Sequence, residues 1–404
     1  MNDFEAVSWP VGVMEPLLPG EGRASEGLDD LALAIVGEDS ALEQSLPPHI
    51  KRAMGELVRS MNCYYSNLIE GHDTHPIDIE RALKQDYSAE PRKRELQLEA
   101  AAHIAVQQLI DADAGPAGAS VVSAEWLAWV HEEFCTRLPS QLLTVKDLDT
   151  GRTCQVEPGR FRDGWVKVGA HTPPPPGDLP KFLDRFAQVY EPAGLGRARA
   201  FIAAGAAHHR LLWIHPFFDG NGRVARLFSN AYLRRLGVCR SGLWSVSRGL
   251  ARRVEEYKKT LAAADDERRN DLDGRGTLSE RGLVLFCRFF LDICLDQVRF
   301  MASLLQTDRL AERIEADMRE ETALGRLPKG ADMLMRFAIR FGKFERGMAG
   351  QFTGYSDSQA RVVLRALIER GYLRSDSPKG AVHVGFPAEA AEHWFPALFP
   401  AKPT

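Results

Sequence analysis

Closely spaced cysteines are missing from this sequence: Cys63, Cys135, Cys154, Cys239, Cys287 and Cys294 include no Cys-x-x-Cys pair. That excludes a zinc-ribbon or disulfide scaffold and fits reduced core thiols in a reducing cytosol, so the expected location is cytoplasmic. Positive charge is not in excess either, since the formal net charge is -4, and the chain lacks the overall field that nucleic-acid binders carry. Long apolar runs are absent. The most apolar helical stretch, residues 283–298, is interrupted by Arg288, Asp292 and Asp296, which excludes a membrane span and makes a membrane partner unexpected. Residues 1–23 hold acids and prolines without a basic start or an apolar segment, so no signal peptide is visible. What is present, 45% hydrophobic and 26% charged residues in 404, is ordinary for a globular protein of two or three domains.

One stretch concentrates the chemistry: His215-Pro216-Phe217-Phe218-Asp219-Gly220-Asn221-Gly222-Arg223-Val224-Ala225-Arg226. Residues 203–214 before it are apolar enough for a buried helix, and Val224, Leu227, Phe228, Tyr232 and Leu236 after it recur at helical spacing, so the pattern predicts helix, tight loop, helix. A Gly-Asn-Gly loop that opens a helix leaves backbone N–H groups pointing outward at the positive end of the dipole, which makes a phosphate site. Arg223 and Arg226 share one helix face and reach farther phosphates of the same ligand. Asp219 would repel that ligand unless a divalent cation lay between them, and Mg²⁺ bridging Asp219 to a di- or triphosphate accounts for it. His215, with an ordinary pKa of about 6.5, suits a general base. The sum is nucleotide-dependent group transfer.

The stretch resembles the signature of the Fic-domain family, His-Pro-Phe-x-(Asp/Glu)-Gly-Asn-Gly-Arg-x-x-Arg, with each fixed position present. The resemblance implies a protein adenylyltransferase that moves AMP from ATP-Mg²⁺ to a Ser, Thr or Tyr hydroxyl of a target protein or of the chain itself. His215 would be the base and Asp219 the Mg²⁺ ligand. Gly220, Asn221 and Gly222 would hold the α-phosphate, with Val224 and Ala225 beside them and Arg223 and Arg226 on the outer phosphates. Ser66-Asn67-Leu68-Ile69-Glu70-Gly71 ends an amphipathic helix predicted over residues 48–70 and matches the Ser/Thr-x-x-x-Glu-(Gly/Asn) pattern of one class of the family. There the glutamate pairs with the second arginine, so Ser66, Glu70 and Gly71 would form an inhibitory element set against Arg226.

Residues 160–168 alternate loosely around Asp163-Gly164, which predicts a hairpin. By the same resemblance it would be the flap over the nucleotide, lined by Val166, Lys167, Val168 and Gly169, and its strand edge would dock an extended target segment. Tyr257 sits where the family has a tyrosine against the adenine, followed here by Lys258 instead of a second tyrosine, which leaves the base open. The expected architecture is mainly α: an arm over residues 1–47 with a short helix at 28–36, N-terminal helices over 48–120, a Fic helical core with its β-hairpin flap over 121–325, and a small winged helix-turn-helix-like α+β domain over 328–404. Within these units helices are predicted at 77–85, 92–112, 123–137, 179–190, 197–213, 248–264, 331–341 and 356–370, with one or two over 278–316. His103 and His131 read as structural, and the adjacent His208 and His209 face different sides, against a metal site. Removal of AMP, or transfer of UMP, phosphate or phosphocholine, are rival chemistries for the same site. A homodimer is left open, as is a nucleotide-sensing regulator that binds DNA through residues 328–390.

Overall fold

The computed structural model describes residues 8–22, 25–146 and 153–399. The chain is mainly helical. Helix α1, Leu28–Ser45, is followed by α2, Pro48–Ile69, α3, Pro76–Leu83, α4, Pro91–Asp111, and α5, Ala124–Cys135. Strands β1, Thr144–Lys146, and β2, Thr153–Gln155, then pair antiparallel with Val145 opposite Cys154. Four helices follow and build the site's scaffold: α6, Leu179–Tyr190, α7, Arg197–Ile214, α8, Asn221–Arg235, and α9, Val246–Arg252. Behind them come α10, Val254–Asp265, α11, Glu280–Leu304, and α12, Thr307–Ala323. The remainder is α13, Ala331–Phe341, α14, Ala349–Thr353, α15, Asp357–Glu369, strands β3, Leu373–Ser375, and β4, Val382–Val384, and α16, Ala388–Trp394. Among the described residues no helix is long and apolar enough to cross a membrane.

The core is built around α7 and α11, both of which bury most of their length. Small residues make this crossing possible: a Cβ on Gly205 of α7 would sit 3.3 Å from Phe290 Cβ on α11. Burial then fixes α7 firmly enough for its C-terminal end to present a loop.

Three expectations are corrected. The arm does not end at a short helix over 28–36, because α1 runs on to Ser45 and buries Leu28, Ala32, Ile35, Asp39 and Leu42. Asp39 is the residue that hid this: it accepts hydrogen bonds from Trp244 Nε1 at 2.7 Å and from the Cys239 amide at 3.0 Å, two hundred residues away in sequence. The helix predicted over 248–264 breaks at Arg253, whose φ of -122° and ψ of 39° separate α9 from α10. The hairpin around Asp163-Gly164 does not form. Its residues are irregular, the paired strands being β1 and β2 upstream, and the one pairing in that region is a bridge from Val168 to His171 around Gly169. The reason is Arg162, which the alternation assigns to a strand face but which is buried with its donors on loop carbonyls.

Candidate functional site

The loop between α7 and α8 begins at His215, which terminates α7 in the left-handed conformation, φ 48° and ψ 63°. A side chain bearing a Cβ is uncommon there, and the surroundings must hold it. Asn221 supplies part of that hold: its Oδ1 accepts from the Phe217 amide at 3.0 Å and its Nδ2 donates to the Phe217 carbonyl at 2.9 Å. Phe217 is in turn stacked on His131, with ring centroids 3.9 Å apart. His131 accepts from the Gly159 amide at 3.0 Å, and burial lowers its pKa to about 4, so it is a neutral prop beneath the loop.

Gly220 caps α8 with φ 78°, a conformation that glycine adopts without penalty. The Val224 amide is the first to close a helical bond, onto the Gly220 carbonyl at 2.9 Å. The amides of Asn221, Gly222 and Arg223 precede it and have no intrahelical acceptor, as expected of a first helical turn. The Glu70 carboxylate lies against this turn: a Cβ on Gly222 would collide with Glu70 Oε1.

Glu70 also pairs with Arg226, Oε1 lying 2.5 Å from Nη2. Arg226 is buried, and its Nε donates to Ser66 Oγ at 2.8 Å while Nη2 donates to the Ser66 carbonyl at 3.2 Å. Burial alone would raise the Glu70 carboxyl, but the Arg226 charge and hydrogen bond reverse this and leave it below the usual carboxylate range. The geometry is set by how α2 ends. Gly71 at φ 82° closes a Schellman turn, in which the His72 amide donates to the Asn67 carbonyl at 2.9 Å and the Gly71 amide to the Leu68 carbonyl at 3.0 Å.

The other arginine is engaged as well. Arg223 Nη2 lies 3.1 Å from Glu99 Oε2, and His72 Nδ1 donates to the same oxygen at 2.8 Å. Its guanidinium lies 5.2 Å from the centroid of the Phe134 ring. Asp219 is exposed, with Oδ1 accepting from the Gly220 amide at 2.7 Å. His215 is half-buried, and burial, then the Arg162 charge, lower its pKa to about 4.

The Asn221 side chain clasps the loop, while its backbone amide is the group expected at the phosphate, and Val224 and Ala225 are buried in the core with the Val224 amide already used. Tyr257 is buried too, its hydroxyl donating to His208 Nε2 at 2.7 Å behind Arg226. Val166 is half-buried and Lys167, Val168 and Gly169 are exposed, in irregular chain and not on a strand edge. The segment nonetheless lies against the loop, since Phe161 and Phe217 have centroids 5.2 Å apart. Sequence reading missed Glu99, His72 and Arg162. Only His72, one residue past Gly71, carried a positional signal. A cavity of 1330 Å³ lined by Trp126, Trp129, Arg234 and Arg240 lies at the far end of α8, away from this chemistry.

Comparison with known proteins gives the site a context. Residues 121–233 match the model of the Fic/DOC family. Over 101 residues the chain is 39% identical to the protein adenylyltransferase Fic of Drosophila erecta, a span of 24% of this chain and 20% of that protein. The same figures hold for the Drosophila melanogaster protein of that name. The chain thus spans 20% of the length of these curated relatives. Among solved structures, a Fic family protein from Desulfovibrio desulfuricans superposes with a TM-score of 0.53 at 21% identity, covering 90% of this chain and 97% of that one. A Fic domain containing signaling protein from Bacteroides thetaiotaomicron gives 0.50 at 17% identity over 67% and 95%. At these identities the likeness is one of fold.

Proposed function

With residues 121–233 taken as a Fic/DOC domain, we propose that the chain is a protein adenylyltransferase held in check by its own Glu70. It transfers AMP from ATP to a Ser, Thr or Tyr hydroxyl of a target protein or of itself. The observation that carries this reading is the Glu70 carboxylate, which lies against Gly222 at the start of α8 and pairs with the buried Arg226. A helix start suited to phosphate, with a carboxylate of the protein itself set beside it, is what an inhibited nucleotide enzyme requires. The name of the Drosophila relatives supports the kind of transfer.

The exposed Asp219, with one oxygen on the Gly220 amide, suits a hard cation whose shell is completed by phosphates and water. It would hold Mg²⁺, which would neutralise phosphate charge. The amides of residues 221–223 and the side chains of Arg223 and Arg226 take the phosphates once Glu70 has left. His215 is neutral at pH 7, and the arriving triphosphate raises its pKa toward the working range. An imidazole nitrogen takes the proton of the incoming hydroxyl, whose oxygen bonds to the α-phosphorus while the bond to the pyrophosphate oxygen breaks. Pyrophosphate leaves with that electron pair. Positioning and fixed charge supply the rate.

The C-terminal unit, three helices and an antiparallel pair followed by α16, is read as a winged-helix-like support for α2. The turn that would be its wing is tied down, Asp376 accepting from Arg52 of α2 at 2.6 Å. A DNA-reading role would need that turn released.

The test uses ATP labelled at the α or the γ phosphate, with intact-mass measurement. Glu70→Gly is expected to gain α label and the mass of AMP well above wild type, and adding His215→Ala to lower this by about 10²- to 10⁴-fold. Equal labelling by wild type and Glu70→Gly would remove the inhibition claim. Retention of the γ label would replace AMP transfer by phosphate transfer.

A further inference from the structure

Arg162 is among the largest fully buried side chains of the molecule, 2% exposed, and among the described residues it has no carboxylate at ion-pair distance. Its donors go to carbonyls instead. Nε donates to the His215 carbonyl at 2.7 Å, Nη1 to Gly164 at 3.0 Å, and Nη2 to Pro174 at 2.6 Å and Ile214 at 3.4 Å. Its own amide donates to the Pro216 carbonyl at 2.9 Å. The Ile214 and His215 carbonyls are among those left over where α7 ends, and cations are favoured at that pole of a helix. The Gly164 and Pro174 carbonyls belong to two further segments. One planar group therefore braces the helix end, the irregular segment before it and the proline run, and all three braces meet at the left-handed turn of His215.

Bracing alone does not call for charge, because a neutral amide also donates. Burying an unpaired cation is unfavourable, and burial lowers the pKa of Arg162 itself to about 10. At neutral pH it nonetheless stays charged. The charged and titratable groups that face His215 are Arg162, His171 and Glu70. His171 is tied to the Trp213 carbonyl at 2.8 Å, and Glu70 must leave for nucleotide to enter, which makes Arg162 the fixed charge of the set.

We propose that Arg162 is a positioning residue for His215, fixing the strained turn that sets its ring and keeping a permanent positive charge beside it. The role assigned to His215 rests on the adenylyltransferase reading, but the position and charge of its ring do not. In the working site this cation makes the imidazole easy to deprotonate and holds it at one angle to the start of α8. It does both without touching substrate.

The experiment compares Arg162→Met and Arg162→Lys in the full chain carrying Glu70→Gly. The His215 imidazole is titrated by NMR, its signal assigned by its loss in His215→Ala. The Met variant is expected to raise the midpoint by roughly one pH unit or more, and the Lys variant to leave it near the parent. AMP transfer is expected to fall about tenfold or more in kcat for both, because lysine cannot fork across the carbonyls, with KM for ATP changed by less than about twofold. An unmoved midpoint in Arg162→Met overturns the charge role, and an unchanged kcat in Arg162→Lys overturns the positioning role. If circular dichroism shows Arg162→Met unfolded, the Lys variant decides by its kcat. A parent chain that transfers no AMP sinks the enzymatic reading, while the NMR titration still decides the case of Arg162.

Discussion

Asn221 and His72 each do work at the residue scale that a motif cannot display. Replacing Asn221 by Ala leaves the buried Phe217 amide and carbonyl without partners, and each such loss costs on the order of 1–3 kcal/mol. Thermal unfolding should register this as a drop of several degrees, and a midpoint within experimental error of wild type would show that the clasp is dispensable. His72 makes a pH-dependent contact. Its hydrogen bond to Glu99 is the largest influence raising its folded pKa, so the stabilisation is complete below the unfolded value of about 6.5 and fades as pH rises through the raised one. Glu70 behaves oppositely. Its depressed carboxyl keeps its contribution across neutral pH and loses it only in acid. The Tm difference between wild type and His72→Gln should therefore be widest below about pH 6 and narrow above neutrality. A difference that stays constant across that interval would rule out a titrating strap on the turn that carries Glu70.

At the scale of elements, close approach decides as much as side-chain chemistry. A Cβ on Gly282 at the start of α11 would run into the Ala263 carbonyl of α10, and backbone offers no rotamer to yield. Gly282→Ala should lower stability by about 1–3 kcal/mol in denaturant unfolding despite the better helix propensity of alanine, and an unchanged midpoint would mean the two helices separate easily. The helices that sequence reading located best are those whose apolar spacing was uninterrupted. For α6 the predicted and observed bounds coincide, because Leu179, Phe182, Leu183, Phe186 and Tyr190 bury one stripe and a proline run precedes it. The loop between α7 and α8 was equally legible, since Gly-Asn-Gly before a periodic stretch admits few geometries, and the end of α2 followed from Gly71. Legibility failed where a polar residue is satisfied at long range. Asp39 reads as solvent-facing until Trp244 is known to lie beside it, Arg162 reads as a strand surface until the carbonyls of 164, 174, 214 and 215 converge on it, and Tyr257 reads as available until His208 claims its hydroxyl. Apart from Gly164, these partners lie twelve or more residues away in sequence, and local pattern cannot supply them.

Taken as a whole molecule, the chain hangs its C-terminal unit on α2, the helix that delivers Glu70. Besides the Arg52–Asp376 pair, Arg374 reaches Glu56 at 2.7 Å, His49 donates to the Ile339 carbonyl at 2.8 Å, and the Tyr65 hydroxyl donates to the Leu398 carbonyl at 3.0 Å. Ending the chain after Phe386 removes α16 and the tail that receives Tyr65 and Arg248. The truncated protein should melt at lower temperature and label itself more with ATP than wild type does, and labelling no higher than wild type would mean that α2 keeps Glu70 in place unaided. The carboxylate over Gly222 also bears on which molecules gain a foothold. A bare ring of amides and arginines would snare RNA, polyphosphate and any stray sugar phosphate that drifted past. If Glu70 is the plug proposed above, a visitor must outcompete a neighbour that never diffuses away, so only a ligand gripping several points at once gets in.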